Sequence, residues 1–483
     1  MKPPASPSLT RATTGGALWM GGSLGIQVGI GLVAQVILAT ILTAHDFGLF
    51  ALVVAVSYML SSVGNFGIKT LMAQRTPDEI AGLRTAVFRA GMWAAALSGL
   101  LLVAISPFVS RLVDEPDLEG LLLVTAATFL FKPYTAIATA ALQARLRFAR
   151  VAWALLAATA AHYVVAIILA EAGLGALSLV IGTQVNAVVM VAALWVLSRR
   201  EDAAPAVASV TTRRAAAMAR WPLAGEVAMD ATGRIDFLML GLFVPTEVVG
   251  MYYFAFQLVL RLNELLTGVA RNVLFPALAQ IPDHHERQAA GVLRAGTLLA
   301  LAGGAAAAAL IASLFPIEEI LWGGRWEGAV PAMMLLASVA PGQAVQAAVE
   351  QLLKARARFR RWTGVITVRA VGSALVALVV GAVLGDAATA TGIAAAIAVF
   401  VVVEAVLEVA VIGGGLGIPV GRYWATALPT WALLVAGGWG VVGLVSGWNL
   451  DPWVAAGVSM ALVAAFAAAV GAAIWRFGII TRR

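Results

Sequence analysis

Apolar runs of about 20 residues, each long enough to cross the hydrocarbon of a bilayer, recur along almost the whole of this sequence. A chain that is 61% hydrophobic and 12% charged, with a mean hydropathy of +0.93, has too little polar surface to cover a water-soluble core. Inside hydrocarbon the backbone must bond to itself, so these runs read as α-helices. Charged or Pro/Gly-marked breaks delimit about fourteen spans, near residues 16–42, 48–66, 87–110, 120–142, 151–170, 174–197, 218–242, 247–270, 291–315, 329–353, 363–384, 389–412, 424–446 and 452–475. The expected fold class is an all-α membrane protein without a soluble catalytic domain. The first run is too long for the apolar core of a signal peptide, so it is expected to stay as the first helix.

Basic residues give the orientation. One alternate set of connections carries Lys2 and Arg11, then Lys69, Arg75 and Arg84, then Arg145, Arg147 and Arg150, then Arg199, Arg200, Arg213 and Arg214, with further groups such as Lys354, Arg356 and Arg358. The other set carries only Arg111 and Arg325, among acids such as Asp114, Glu115, Glu318 and Glu319. By the positive-inside rule both termini are cytoplasmic. This placement also accounts for the formal net charge of +7 without invoking nucleic acid as a partner. Cysteine is absent, which excludes disulfides, thiolate metal sites and cysteine nucleophiles.

Two local matches divide the chain. TAHDFGLFALV at 43–53 aligns with PTEVVGMYYFA at 245–255, placing Gly48 opposite Gly250, and ALQARLRFAR at 141–150 aligns with LLKARARFRR at 352–361. The expected organisation is a six-helix bundle at 1–197, a polar cytoplasmic linker at 198–215, a second six-helix bundle at 216–412, and two last helices at 413–483. An even number of spans per half makes this a parallel repeat about the membrane normal.

The segments LATILTAHDFGLFAL, VGNFGIKTLMAQR, ALQARLRFAR and RIDFLMLGLFVPTEVVGMYYFA resemble the polysaccharide transporters of the MOP superfamily, the branch of Wzx-type O-antigen flippases and colanic-acid-type exporters. The resemblance implies two six-helix bundles that carry lipid-linked sugar repeat units, on undecaprenyl pyrophosphate, across the bacterial inner membrane. Its implied partners are that lipid-linked oligosaccharide, membrane lipids and the polysaccharide polymerase machinery. It implies transport rather than enzymatic catalysis, and no cofactor.

Ionisable residues inside apolar spans are the candidates for function, because each needs a partner or a wet cavity. In the seventh span Glu226, Asp230 and Arg234 fall on one helical stripe, with Asp236 nearby. Asp230 and Arg234 either neutralise each other or line a hydrated cavity. A flippase must compensate a pyrophosphate in transit, and Arg234, Arg261 and Lys132 are the candidate substrate-binding cations. Asp230 and Glu226 are the candidate ion-coupling carboxylates, since hydration and Arg234 act on them in opposite senses. Glu404 and Glu408, one turn apart, are expected to pair with Arg369, and Glu350 with Lys354. His162 reads as a packing residue, and His284 with His285 as a solvated loop rather than a metal site.

No GxxxxGK[ST] motif cradles a nucleotide, so an ion gradient, the membrane potential or consumption of product must supply energy. Other readings are a multidrug or small-molecule exporter on the same fold, or a membrane-embedded glycan polymerase or ligase. The first would favour an acidic, aromatic-lined cavity, and the second an exterior acceptor site. The topology has a direct test: a reporter active only outside the cytoplasm, fused at Ala204, should give no signal, and a strong signal would reverse the assignment.

Overall fold

The computed structural model describes residues 7–65, 77–198, 234–448 and 450–476, and all regular elements among them are helical. The chain groups into two units, Met1–Thr246 and Glu247–Arg483.

In the first unit α1 (Pro7–Ile41) packs on α6 (Phe148–Glu171), which forms a tight hairpin with α7 (Ala176–Ser198). Gly173 and Gly175 turn that hairpin with positive φ, a conformation that costs glycine least. Between them in sequence lie α2 (Ala44–Asn65), α3 (Pro77–Val113), and α4 (Asp117–Ala126), which runs through a 3-10 turn, Ala127–Phe131, into α5 (Lys132–Ala144). A short helix, α8 (Ile235–Gly241), packs on α2. Leu49, Leu52, Val53 and Val56 of α2 meet Leu102 of α3, Leu118 and Leu122 of α4, and Val180 of α7 in one buried cluster.

The start of α2 shows why the first repeat segment has its sequence. Thr43 caps the helix and Asp46 reaches back to it, with Thr43 N and Oγ1 donating to Asp46 Oδ2 at 2.9 and 2.7 Å, and Asp46 N donating to Thr43 Oγ1 at 3.2 Å. This reciprocal capping satisfies donors that the first helical turn leaves open. The other Asp46 oxygen accepts from Ala176 N at 2.9 Å, tying α2 to α7. Gly48 faces the backbone carbonyl of Thr246 so closely that a Cβ there would overlap it.

In the second unit α9 (Thr246–Val269) passes through a π turn, Ala270–Leu274, into α10 (Phe275–Ala279). Then follow α11 (His285–Trp322), α12 (Val330–Ala355), α13 (Phe359–Leu384), α14 (Ala390–Glu408) with a π segment at Val409–Gly413, α15 (Val420–Val445) and α16 (Pro452–Arg476). The central element is α12, with 83% of its membrane window buried against 22–56% for the other candidate spans. Tyr423 and Trp431 of α15 fix it by donating to the carbonyls of Val345 and Ser338 at 2.8 and 2.7 Å. Gly342 and Gly296 leave room for those two rings. By contrast α13 turns Val368, Val371, Leu375, Val379 and Val383 outward along one stripe, each more than half exposed. Such a stripe is a liability in water and the proper surface in lipid.

Eleven helices among the described residues are long and apolar enough to cross a membrane, so the chain is a multi-pass membrane protein, and three of the fourteen expected spans are not among these eleven. The second expected span is present as α2, of which Ala44–Leu60 is the apolar part. The seventh falls mostly outside the described residues. The eighth is α9, a full-length helix whose Glu247, Gln257, Arg261, Asn263 and Glu264 lower its mean hydropathy. Glu318, expected in an exterior connection, instead lies within α11, 3% exposed, and accepts from Trp326 N at 2.8 Å. At about 1.5 Å per residue the 38 residues of α11 run to about 57 Å, well past the hydrocarbon thickness.

The second repeat segment has the same local structure in both units. Helices α5 and α12 stop at Ala144 and Ala355, Leu146 and Ala357 take left-handed φ values of 57° and 55°, and helices restart at Phe148 and Phe359. Arg147 N donates to Leu142 O at 2.8 Å, and Arg358 N to Leu353 O at 2.9 Å. A left-handed residue other than glycine is costly, which makes its recurrence at aligned positions a specific match. Within the second unit Arg356 bonds Gln288 Oε1, the Leu416 carbonyl and the His285 carbonyl at 2.9, 2.8 and 3.2 Å. Burial, and then the neighbouring Arg358, push the Arg356 guanidinium below its ordinary pKa.

The close approach at Gly48 yields a test. Gly48→Ala should lower thermal stability of the detergent-solubilised protein by about 1–3 kcal/mol through overpacking against Thr246. Gly29→Ala, where a Cβ meets nothing within 4 Å, should be near neutral in the same unfolding measurement.

Candidate functional site

Two of the three candidate substrate-binding cations come together in the first unit. Lys132 stands where the 3-10 turn Ala127–Phe131 gives way to α5, with Pro133 beside it in the first helical turn. This irregular backbone lies about halfway along the span Asp117–Ala144, so Lys132 sits deep rather than at a helix end. Its Nζ is 5.1 Å from the centroid of the Phe129 ring and 5.6 Å from that of Tyr58. Arg234, the residue before α8, lays its guanidinium 3.7 Å from the same Tyr58 centroid. Tyr58, on α2, is 37% exposed.

A cation over an aromatic face is held by the ring quadrupole, at about 0.5–1 kcal/mol where exposed, without losing its charge. The arrangement therefore brings two positively charged side chains to one ring. Three packing elements build it: α2 supplies the ring, the α4–α5 break supplies Lys132, and α8, packed on α2, supplies Arg234. Asp236, the second residue of α8, is buried and accepts from its neighbour Phe237 N at 3.0 Å. Asp230 and Glu226, the candidate ion-coupling pair, lie outside the described residues.

The third cation, Arg261, belongs to the second unit. It lies on α9, and its Nη1 bonds Glu264 Oε2 of the same helix at 3.1 Å, both side chains partly exposed. Next to it Asn263 donates to Gln343 of α12 at 2.8 Å.

The same unit contains a denser ionic cluster. Arg369 of α13 bonds Glu404 Oε1 through Nε at 3.0 Å, and through Nη2 it reaches Glu350 Oε1 at 2.9 Å and Glu408 Oε2 at 2.7 Å. Gln346 Nε2 donates to both oxygens of Glu404 at 2.8 and 2.7 Å and to Glu408 Oε2. The expected pairing of Glu404 and Glu408 with Arg369 is therefore present, with two further members from α12. Glu350 does not pair with Lys354: it bonds Arg369 and, at 3.4 Å, the Trp362 indole, while Lys354 Nζ lies 4.4 Å over the Trp362 ring. A sequence signal for this was present. Gln346 and Glu350 on α12 repeat the one-turn spacing of Glu404 and Glu408 on α14, giving two polar faces inside apolar helices that must meet.

The histidines have local roles. His162 stacks edge-on against Tyr163, centroids 4.5 Å apart. His285 opens α11 and lends its carbonyl to Arg356. No group of three or more His, Asp or Glu among the described residues could hold a metal ion.

Comparison with known proteins agrees with this architecture. The chain is 24% identical over 355 residues to the lipopolysaccharide biosynthesis protein WzxC of Escherichia coli (strain K12), spanning 73% of this chain and 71% of that one. It is also 24% identical over 313 residues to the succinoglycan biosynthesis transport protein ExoT of Rhizobium meliloti (strain 1021), spanning 64% of this chain and 62% of that one. Among solved structures, the lipid II flippase MurJ in an inward closed conformation matches with a TM-score of 0.74 at 10% identity, covering 95% of this chain and 98% of that one. At that identity the match establishes a shared fold. The model of the family described as polysaccharide biosynthesis protein matches residues 37–331, well over half of the 483 residues and enclosing both Lys132 and Arg234, and the chain belongs to that family.

Proposed function

We propose that this chain is a flippase that moves undecaprenyl-pyrophosphate-linked oligosaccharide repeat units across the bacterial inner membrane by alternating access, for surface or exopolysaccharide biosynthesis. The observation that carries the reading is the convergence of Lys132 and Arg234 on the Tyr58 ring of the first unit, with Lys132 about halfway along its span. Membership of a polysaccharide biosynthesis family, and the transport named for the succinoglycan relative, support the same reading.

The physical requirement is to take a pyrophosphate through a region where an uncompensated charge is expensive. Arg234 offers a planar fork of donors and Lys132 a compact point charge, and the phosphate oxygens accept charge-assisted hydrogen bonds from both. Tyr58 holds the two cations apart from each other and in place between cycles, so the anion meets preorganised donors. The polyprenyl tail stays in lipid while the sugars follow the headgroup. Arg261, paired with Glu264, is the third cation of the proposal. Asp230 and Glu226 are its ion-coupling carboxylates, and both termini face the cytoplasm. A cationic ring of this kind disfavours export of organic cations, the competing small-molecule reading, which needs the opposite charge.

Transport of a lipid-linked oligosaccharide into or out of proteoliposomes tests the proposal. Lys132→Gln and Arg234→Gln should each lower flux at subsaturating substrate roughly ten- to a hundredfold, the equivalent of about 1.5–3 kcal/mol for a lost ionic hydrogen bond. Tyr58→Phe should keep near-normal flux because the ring face is retained, whereas Tyr58→Leu should not. Full flux in both charge-removed variants, at equal insertion, would remove Lys132 and Arg234 from the substrate path. Saturable uptake of an organic cation with no oligosaccharide transport would favour the small-molecule exporter.

A further inference from the structure

We propose that the Arg369 cluster of the second unit is a proton-binding site in which Glu408 carries an exchangeable proton. The first support is charge balance. Glu350, Glu404 and Glu408 all lie within hydrogen-bond distance of one guanidinium, and Gln346 adds a neutral donor, so full ionisation would leave two uncompensated negative charges. Arg369 lies ten residues into α13, about 15 Å from the start of that helix, and its side chain is 20% exposed while that of Glu408 is 3% exposed, so most of the compensation has to come from the protein or from a proton. Charged side chains at such depth pair or take up protons.

The second support is a specific orphaned atom. Glu408 is 6% exposed, and while its Oε2 bonds Arg369 and Gln346, its Oε1 is buried with no hydrogen-bond partner among the described residues. A proton added at Oε1 therefore breaks no existing bond, whereas Glu404 uses both oxygens and Glu350 bonds through both of its own. The step is simple in its balance: the Glu408 carboxylate takes one proton from water, becomes a neutral acid, and the cluster moves from two excess negative charges to one.

The neighbourhood of Glu408 is set by the elements packed around α14. From α12 come Glu350 and, one turn further, Lys354, whose ammonium lies 4.4 Å over the Trp362 ring. Arg369 comes from α13. From α15 comes Tyr423, whose hydroxyl is committed to the Val345 carbonyl. Glu327, in the short turn before α12, is about six turns of helix from Glu350 and outside the cluster. The helix also changes form at this point: α14 ends at Glu408 and continues as a π segment, Val409–Gly413. Such segments are frequent at functional sites and let a helix shift register locally. Loss of the proton would strengthen the pull of Arg369 on Glu408 and tighten α14 against α12 and α13, which gives proton occupancy a mechanical consequence.

The full-length protein in lipid nanodiscs can be examined by infrared spectroscopy, which resolves the carbonyl stretch of a protonated carboxylic acid from that of a carboxylate. Wild type should show a buried protonated-acid band at neutral pH that is lost on raising the pH. Glu408→Gln should abolish it. Glu404→Gln, which removes one excess negative charge, should make it disappear at lower pH than in wild type. The wild-type titration needs no variant, so a variant that fails to fold leaves the central claim testable. Absence of the band at neutral pH in wild type would overturn the proposal, as would a band unchanged in Glu408→Gln. Replacement of the band by sodium-dependent stabilisation, read as a thermal shift with NaCl against choline chloride, would likewise overturn it in favour of a bound cation. None of these readouts involves the transported substrate, so they stand or fall separately from the flippase assignment.

Discussion

Inside hydrocarbon a backbone amide or a charge has only the chain itself to bond to, and this constraint organises the whole molecule. It explains why the long apolar runs among the described residues are helices, and why the breaks in those helices are filled rather than left open. Trp431 and Tyr423 reach from α15 to carbonyls of the most buried helix, α12, and Glu318 reaches past the end of α11 to the Trp326 amide. The same rule makes each intramembrane charge informative. A charge that the fold retains at this depth has a partner, a wet surface or a proton.

The two units meet the constraint in different ways. In the first, Lys132 and Arg234 gather at an aromatic ring whose face attracts cations. In the second, Arg369 is gripped by three carboxylates, two of which also accept from Gln346, so its charge is spent within the protein. The first arrangement suits recognition of something that comes and goes. The second suits a structural lock or a site whose occupant is as small as a proton, because its members are already bonded to one another.

The repeat shows how one local sequence can be reused with different tertiary roles. The ten-residue segments after α5 and α12 share helix stop, left-handed residue and helix restart. Yet in the second segment Arg356 is fully engaged by three acceptors, binding the turn to α11 and to the Leu416 carbonyl. In the first, Arg150 donates to the Leu197 carbonyl at 2.8 Å. Backbone conformation follows from the local residues; which distant acceptor a long arginine finds does not.

The sequence by itself determined that the chain is helical, membrane-embedded and internally repeated, because those properties follow from composition, run length and local motifs that act over a few turns. It also exposed the members of the charged clusters as polar residues in apolar spans, and the one-turn spacing of Glu404 and Glu408 pointed to Arg369. Only the tertiary structure decided that Glu350 turns to Arg369 rather than to Lys354, its neighbour one turn away, since Trp362 takes up the lysine and the α12–α14 contact presents Glu350 inward. Tertiary structure alone likewise brought Lys132 and Arg234, about a hundred residues apart in sequence, to one tyrosine ring, for which no local pattern gives a signal. Helices are written in short-range periodicity, whereas the meeting of two charges depends on how helices pack, and packing is fixed by shapes contributed from the whole unit.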